Sequence, residues 1–99
     1  MIYNIKDGRI FVSLKGELDI ANADLFKQNC LEVAHANQLG FTFDCAELSF
    51  VDSTALGVFV AVNKAVSLYG KDMVLKALRP SIKKLFVITN LDKSIRIED

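Results

Sequence analysis

The stretch FVDSTALGVFVAV, from Phe50 to Val62, sets a polar triplet, Asp52-Ser53-Thr54, inside an otherwise apolar run. The first turn of a helix has backbone N–H groups without partners, and Asp or Ser at the N-cap can accept a hydrogen bond from one of them. The triplet therefore predicts that a helix starts at Ser53 or Thr54. It should run to about Tyr69, where Gly70 can act as its C-terminal cap.

This predicted helix is apolar around most of its circumference, which is typical of a helix that is buried or partly reserved for a partner. One face must pack on a sheet. Another, starting near Leu56, could meet a partner, with core packing as the alternative explanation. Gly57 lies in the helix interior, where glycine costs up to about 1 kcal/mol relative to alanine. Close approach of a partner or tight packing on the sheet would each explain it.

Alternation and turn residues predict the remaining elements on both sides of this helix. We predict that Gly16 ends the second strand and that loops follow at residues 17–19 and 46–49. Asp7-Gly8 indicates a hairpin between the first two strands. The predicted strands are residues 2–5, 10–14, 41–45, 73–77 and 95–97, and the other predicted helices are residues 23–37 and 80–88.

The resulting order is β-β-α-β-α-β-α-β, which indicates an α/β fold. Strands joined through helices require crossover connections, so part of the sheet should be parallel, while the opening hairpin adds an antiparallel pair. We expect one compact domain over residues 1–99, with a mixed sheet of about four to five strands and about three main helices.

Composition excludes several classes of protein. The net charge of zero gives no support to a nucleic-acid partner or a charged membrane surface. No signal peptide is predicted, and the apolar run at residues 55–62 is too short to span a bilayer. Cys30 and Cys45 lack CxxC spacing and lie among apolar residues, so we interpret them as small buried hydrophobic residues in a reducing compartment. A cytoplasmic protein is therefore expected.

Charge is divided unevenly along the chain. Eight acidic and four basic residues give residues 1–52 a net charge of −4, and the reverse counts give residues 53–99 a net charge of +4. We expect the two halves to interleave in the fold, so that the signs mix; the alternative is a charge-polarised surface.

Ser53 has a structural and a functional interpretation. It can belong to an ordinary capped helix start, or it can accept a phosphate, since a helix N-terminus favours an anion. Phosphorylation adds roughly −1.5 to −2 charges and would change the surface that a partner meets.

Three stretches carry a resemblance to a known family: GELD (residues 16–19), LSFVDSTALGVFV (residues 48–60) and RPSIKKLFVITNLDKSIRI (residues 79–97). In this order and spacing they resemble the STAS domains of bacterial anti-sigma factor antagonists. The family motif reads Asp-Ser-Ser/Thr-Gly/Ala-Leu-Gly, and Ala55 stands here where many members carry glycine.

The resemblance implies a partner-switching function in transcription regulation. The unphosphorylated antagonist would bind an anti-sigma factor that is also a serine kinase with a histidine-kinase-like ATP fold, and so release a sigma factor. Phosphorylation at Ser53 would end this binding, and a metal-dependent serine phosphatase would restore it. The implied partner-binding residues are Asp19, Asp52, Ser53, Thr54, Leu56 and Gly57, with Thr54 as a secondary phosphorylation candidate.

Other functions remain open at this point. STAS domains also serve as scaffold subunits of lipid-transport or other signalling complexes, and a partner switch could have a target other than a sigma factor. An enzyme is not expected, because Ser53 lacks the Gly-x-Ser-x-Gly frame and His35 is the single histidine. No cofactor is expected, and no metal site, since Asp19, Asp44 and Asp52 are interpreted as solvated or capping residues.

Overall fold

Five strands form one mixed sheet in the order β1-β2-β3-β4-β5, according to a computed structural model that describes all 99 residues. The hairpin pair β1–β2 is antiparallel and the other three pairs are parallel. The predicted α/β fold and element order are confirmed. The elements are β1 Tyr3–Lys6, β2 Arg9–Leu18, α1 Ala23–Asn37, β3 Gly40–Val51, α2 Ser53–Ser67, β4 Met73–Lys76, α3 Pro80–Ile88, a 3-10 turn Leu91–Lys93 and β5 Arg96–Glu98.

The core lies between the sheet and a helical layer on one of its faces. Helices α1, α2 and α3 each join one strand to its neighbour in the sheet, and all three connections run across the sheet in the same direction. Because such crossovers are right-handed, the three helices lie on the same face. Phe43 of β3 contacts Phe26 of α1 and Phe59 of α2, with ring centroids 6.0 and 5.7 Å apart, and Phe59 contacts Phe86 of α3 at 5.8 Å. These rings join the helices to the central strand. No helix combines the length and the apolar character needed to cross a membrane.

Strands β2 and β3 are longer than the sequence predicted. Gly16 does not end β2, and the predicted loops at residues 17–18 and 46–49 are wrong, because these segments pair with each other in parallel up to Leu18↔Val51. Two register shifts interrupt the pairing, and Gly16 takes a left-handed φ of 78° at one of them. Glycine tolerates this bulge conformation without steric cost. Local turn signals were therefore overridden by pairing between distant segments.

The long strand pair decides where α2 begins. Strand β3 pairs with β4 only from Phe41 to Asp44, so its last residues continue beyond β4 beside β2. The carboxyl ends of β2 and β3 consequently form a projecting end of the domain. Both α1 and α2 start there, the second of them at Ser53 as predicted.

The expectation that acidic and basic halves would interleave is wrong. Because strand order follows chain order, residues 1–52 supply β1, β2, α1 and β3 on one side of the domain, and residues 53–99 supply the elements of the other side. The net charges of −4 and +4 therefore belong to adjacent but separate halves. The domain is polarised in charge, with the start of α2 at the boundary between the two halves.

Candidate functional site

Asp52 and Ser53 form the junction between β3 and α2. Asp52 is the N-cap, and its Oδ1 accepts a hydrogen bond of 2.9 Å from the Ala55 backbone N–H, so the structure selects Asp52 from the two candidates, Asp52 and Ser53, that the sequence left open. Val51 and Ala55 on either side are buried, whereas Ser53 and Thr54 are exposed. The burial of its neighbours fixes the backbone, and the Ser53 hydroxyl is left at the surface.

Asp52 also connects this junction to the loop between β2 and α1. Its Oδ2 accepts a hydrogen bond of 2.9 Å from the Ile20 backbone N–H, and its own N–H donates to the Leu18 carbonyl at 3.2 Å. The two strand ends are therefore joined by the backbone and the side chain of one residue.

Asp19 lies in this same loop, so the structure brings Asp19 and Asp52 to one end of the domain. Asp19 Oδ1 accepts from the Ala21 N–H at 3.0 Å, and Asn22 closes the loop by accepting from the Asp19 N–H at 3.0 Å. Neither carboxylate takes part in a salt bridge. Their negative charges are thus stabilised by backbone dipoles and remain uncompensated by any basic side chain.

The outer face of α2 carries Ser53, Gly57, Val60 and Lys64, which recur at helical spacing and are exposed. Leu56 is only 9% exposed and packs in the core, so of the two explanations left open for this side of α2, core packing is confirmed and a partner-binding face starting near Leu56 is wrong. The reason is that α2 buries more than one side, and Leu56 belongs to the same core cluster as Ala55, Val58 and Phe59. A Cβ added at Gly57 would meet no atom within 4 Å, which excludes tight packing as the explanation for this glycine.

Sequence reasoning missed three exposed apolar residues on the loop, strand and helix that meet at this junction. Ile20 is 77% exposed, Phe50 at the end of β3 is 47% exposed, and Val60 on the outer face of α2 is 39% exposed. Ile20 offered a signal, because it is an isolated apolar residue in a polar loop. The site is therefore an anionic centre bordered by apolar side chains, a combination typical of protein-binding surfaces.

The groups that could support other chemistry lie apart from Ser53. Burial raises the pKa of both Cys30 and Cys45 to about 12, so neither thiol is a ready nucleophile near neutral pH. His35 lies near the end of α1, where its Nδ1 is 3.4 Å from the Tyr69 hydroxyl. Asp44 accepts from the Ala46 N–H on β3, away from Asp19 and Asp52. No three acidic, histidine or cysteine side chains gather as metal ligands.

Comparison with known proteins supports the resemblance seen in the motifs. The family model of the STAS domain matches residues 1–99. An anti-sigma-B factor antagonist of Listeria monocytogenes is 36% identical over 91 residues, which cover 91% of this chain and 77% of the relative. The Bacillus subtilis anti-sigma-B factor antagonist is 32% identical and covers 89% of this chain and 80% of its own length.

Solved structures agree with this assignment. A Thermotoga maritima protein, crystallised as a candidate anti-sigma factor antagonist, has a TM-score of 0.90 at 27% identity over 99% of this chain and 85% of its own. The unphosphorylated SpoIIAA antagonist has a TM-score of 0.73 at 16% identity over 88% of this chain and 83% of its own, which shows a shared fold.

Proposed function

Since this chain belongs to the STAS domain family, we propose that it is an anti-sigma factor antagonist whose binding is switched off by phosphorylation of Ser53. The observation that carries the proposal is the exposed Ser53 hydroxyl, which follows the capping Asp52 at a projecting end of the domain. The named relatives act against anti-sigma-B factors. We extend that role to this chain and assign its partner as an anti-sigma factor.

The partner would also be the kinase, with a histidine-kinase-like ATP fold. In the transfer step, the Ser53 oxygen forms a bond to the γ-phosphorus of ATP while the bond from that phosphorus to the β–γ bridging oxygen breaks. ADP leaves, and the hydroxyl proton passes to a base of the kinase. A metal-dependent serine phosphatase would later hydrolyse the phosphate ester and restore the hydroxyl. This exchange belongs in the cytoplasm, where ATP and sigma factors operate.

The surface around Ser53 has the chemistry for such a partner. The uncompensated carboxylates of Asp19 and Asp52 suit basic side chains, and the exposed Ile20 and Val60 suit apolar ones. Gly57 leaves open space on the outer face of α2, which lets a partner approach the helix backbone. Thr54 is also exposed and is a secondary site for the phosphate.

A phosphate at Ser53 would change this surface without disturbing the core. The start of α2 favours negative charge, so the fold should tolerate the modification. The phosphate would, however, replace a hydroxyl that a partner can reach and occupy the space where the partner packs. Loss of binding would follow chiefly from steric exclusion, with a smaller contribution from lost hydroxyl contacts, since charge alone would favour basic groups on the kinase.

Incubation with the cognate anti-sigma factor and ATP, followed by mass spectrometry, tests the proposal. We expect phosphate on Ser53, no incorporation in Ser53→Ala, and normal incorporation in a control variant, Ser67→Ala. In a binding assay, Ser53→Asp should lose the partner while Ser53→Ala retains much of its affinity. The free energy of unfolding of Ser53→Asp should differ from that of the unaltered chain by no more than about 0.5 kcal/mol, because an acid is tolerated at a helix start.

Two results would count against this function. Phosphate that appears elsewhere while Ser53 stays unmodified would contradict the assigned site. Equal binding of Ser53→Asp and Ser53→Ala to the anti-sigma factor would contradict the switch and favour a scaffold role.

A further inference from the structure

The β2–α1 loop, Asp19–Asn22, is well fixed for an exposed segment. Asn22 Nδ2 donates to the Glu17 carbonyl at 2.8 Å, and the Ala23 N–H donates to the Asp19 carbonyl at 2.8 Å. These bonds join the two ends of the loop and leave the Ile20 side chain at its exposed tip. The loop therefore presents an exposed apolar residue whose backbone is held against Asp52, the residue before Ser53.

Only one side chain from outside the loop bonds to its tip. Asp52 Oδ2 accepts the Ile20 N–H at 2.9 Å, although the two residues are 32 positions apart. An N-cap needs one oxygen to accept a helix N–H, and Asp52 uses Oδ1 for that purpose. The second oxygen is therefore available for a function other than capping, and it binds the loop.

We propose that Asp52 is a positioning residue that couples the state of residue 53 to the Ile20 loop, so that a phosphate on Ser53 releases the Ile20 N–H. The regulated surface then consists of two loops. The modification itself rests on the proposed function, whereas the link from Asp52 to Ile20 rests on the geometry alone.

The coupling follows from competition for the same donors. A phosphate on Ser53 brings three strong acceptor oxygens to the start of α2, where Asp52 already accepts the Ala55 N–H. It also places negative charge one residue from the Asp52 carboxylate, and like charges repel. As the carboxylate turns away, the Ile20 N–H exchanges its acceptor for water, which the exposed loop allows.

The released loop would be a poorer docking element. In the unmodified chain a partner meets Ile20 already in place, between carboxylates that suit basic side chains. The chemistry fits a partner with an apolar pocket for Ile20 bordered by basic groups. After release, the Ile20 backbone is no longer held against Asp52, and fixing its position again on binding weakens affinity.

Amide hydrogen exchange measured by NMR tests the coupling without a kinase or a partner. The samples are the unmodified chain, a chain with phosphoserine introduced at position 53 during translation, and Asp52→Asn. The asparagine has one acceptor oxygen in place of two, so it cannot use separate oxygens for the N–H groups of Ile20 and Ala55. We expect the Ile20 amide to exchange at least tenfold faster in both altered chains, with a shift of its resonance.

Two controls make the result specific. The Ala46 N–H also donates to an aspartate, Asp44 Oδ1 at 3.1 Å, and should not change because it lies away from Asp52. Phosphoserine at position 67, near the other end of α2, should leave Ile20 unchanged. An unaltered Ile20 amide in Asp52→Asn would show that the carboxylate does not hold the loop. An unaltered Ile20 amide with phosphoserine at position 53 would overturn the coupling, and the proposed phosphorylation of Ser53 would still stand.

Discussion

Two aspartates at opposite ends of the parallel strands have different partners. At the amino ends, Asp72 forms salt bridges with Arg9 at 2.6 Å and with Arg96 at 3.7 Å. At the carboxyl ends, the Asp52 side chain accepts hydrogen bonds only from backbone N–H groups. Both aspartates hold distant segments together. Asp72 is neutralised by its arginines, while Asp52 keeps its charge uncompensated at the surface. The same type of side chain thus stabilises the fold at one end and contributes to an anionic docking surface at the other.

The glycines of the two ends differ in the same way. At Gly40, which starts β3, an added Cβ would lie 2.6 Å from the Asp72 carbonyl oxygen and 2.9 Å from Arg9 Nη1. At Gly57 it would meet nothing within 4 Å. One end of the domain is filled by its own atoms, and the other has open space on its outer helix.

Gly40→Ala should produce the largest effect. The new methyl group must displace a backbone carbonyl, and overpacking of this kind typically costs about 1–3 kcal/mol. Urea unfolding would measure the loss, with Gly57→Ala as the matched control for the same substitution in open space. If Gly40→Ala and the unaltered chain had equal free energies of unfolding, the claim that the space around Gly40 is filled would be contradicted.

Gly57→Ala should change stability in the opposite direction. Alanine is a better helix former than glycine in an exposed helix interior, so the free energy of unfolding should rise by up to about 1 kcal/mol. Binding of the anti-sigma factor should weaken, because the methyl group occupies the partner's approach. The same titration with Lys64→Ala, farther along the outer face, controls for a general effect on α2. Undiminished binding by Gly57→Ala would contradict a close approach there.

Asp72→Asn should have the smallest effect on unfolding. Its ion pairs are partly exposed, and such pairs contribute about 0–1 kcal/mol. Added salt should narrow the difference between Asp72→Asn and the unaltered chain, because salt screens exposed charges. Asp52→Asn should respond less to salt, since Asp52 binds backbone dipoles. A similar salt response in both variants would contradict the assignment of different roles to the two aspartates.

Local sequence patterns were sufficient for most of the fold. The polar triplet before an apolar run located the start of α2, because an N-cap depends on residues within one helical turn. Hydrophobic spacing identified the buried residues Phe26 and Cys30 of α1. These features depend on neighbours a few positions away, which is why one sequence could predict them.

Residues whose environment depends on distant segments could not be predicted in this way. The turn-like segment at residues 46–49 became part of β3 because β2 pairs with it, and Leu56 was buried because it packs in the core cluster that the sheet and helices share. Likewise, the bond from Ile20 to Asp52 exists only because parallel pairing aligns the ends of β2 and β3.

The sequence by itself determined the element order, the capped start of α2 and the identity of the candidate phosphorylated serine. Tertiary structure alone decided that opposite charges occupy separate halves, that Gly57 faces open space and that Asp52 holds a second loop. The physical reason is range: capping and periodicity act within a few residues, whereas exposure and cross-strand hydrogen bonds are set by which distant segments pack together.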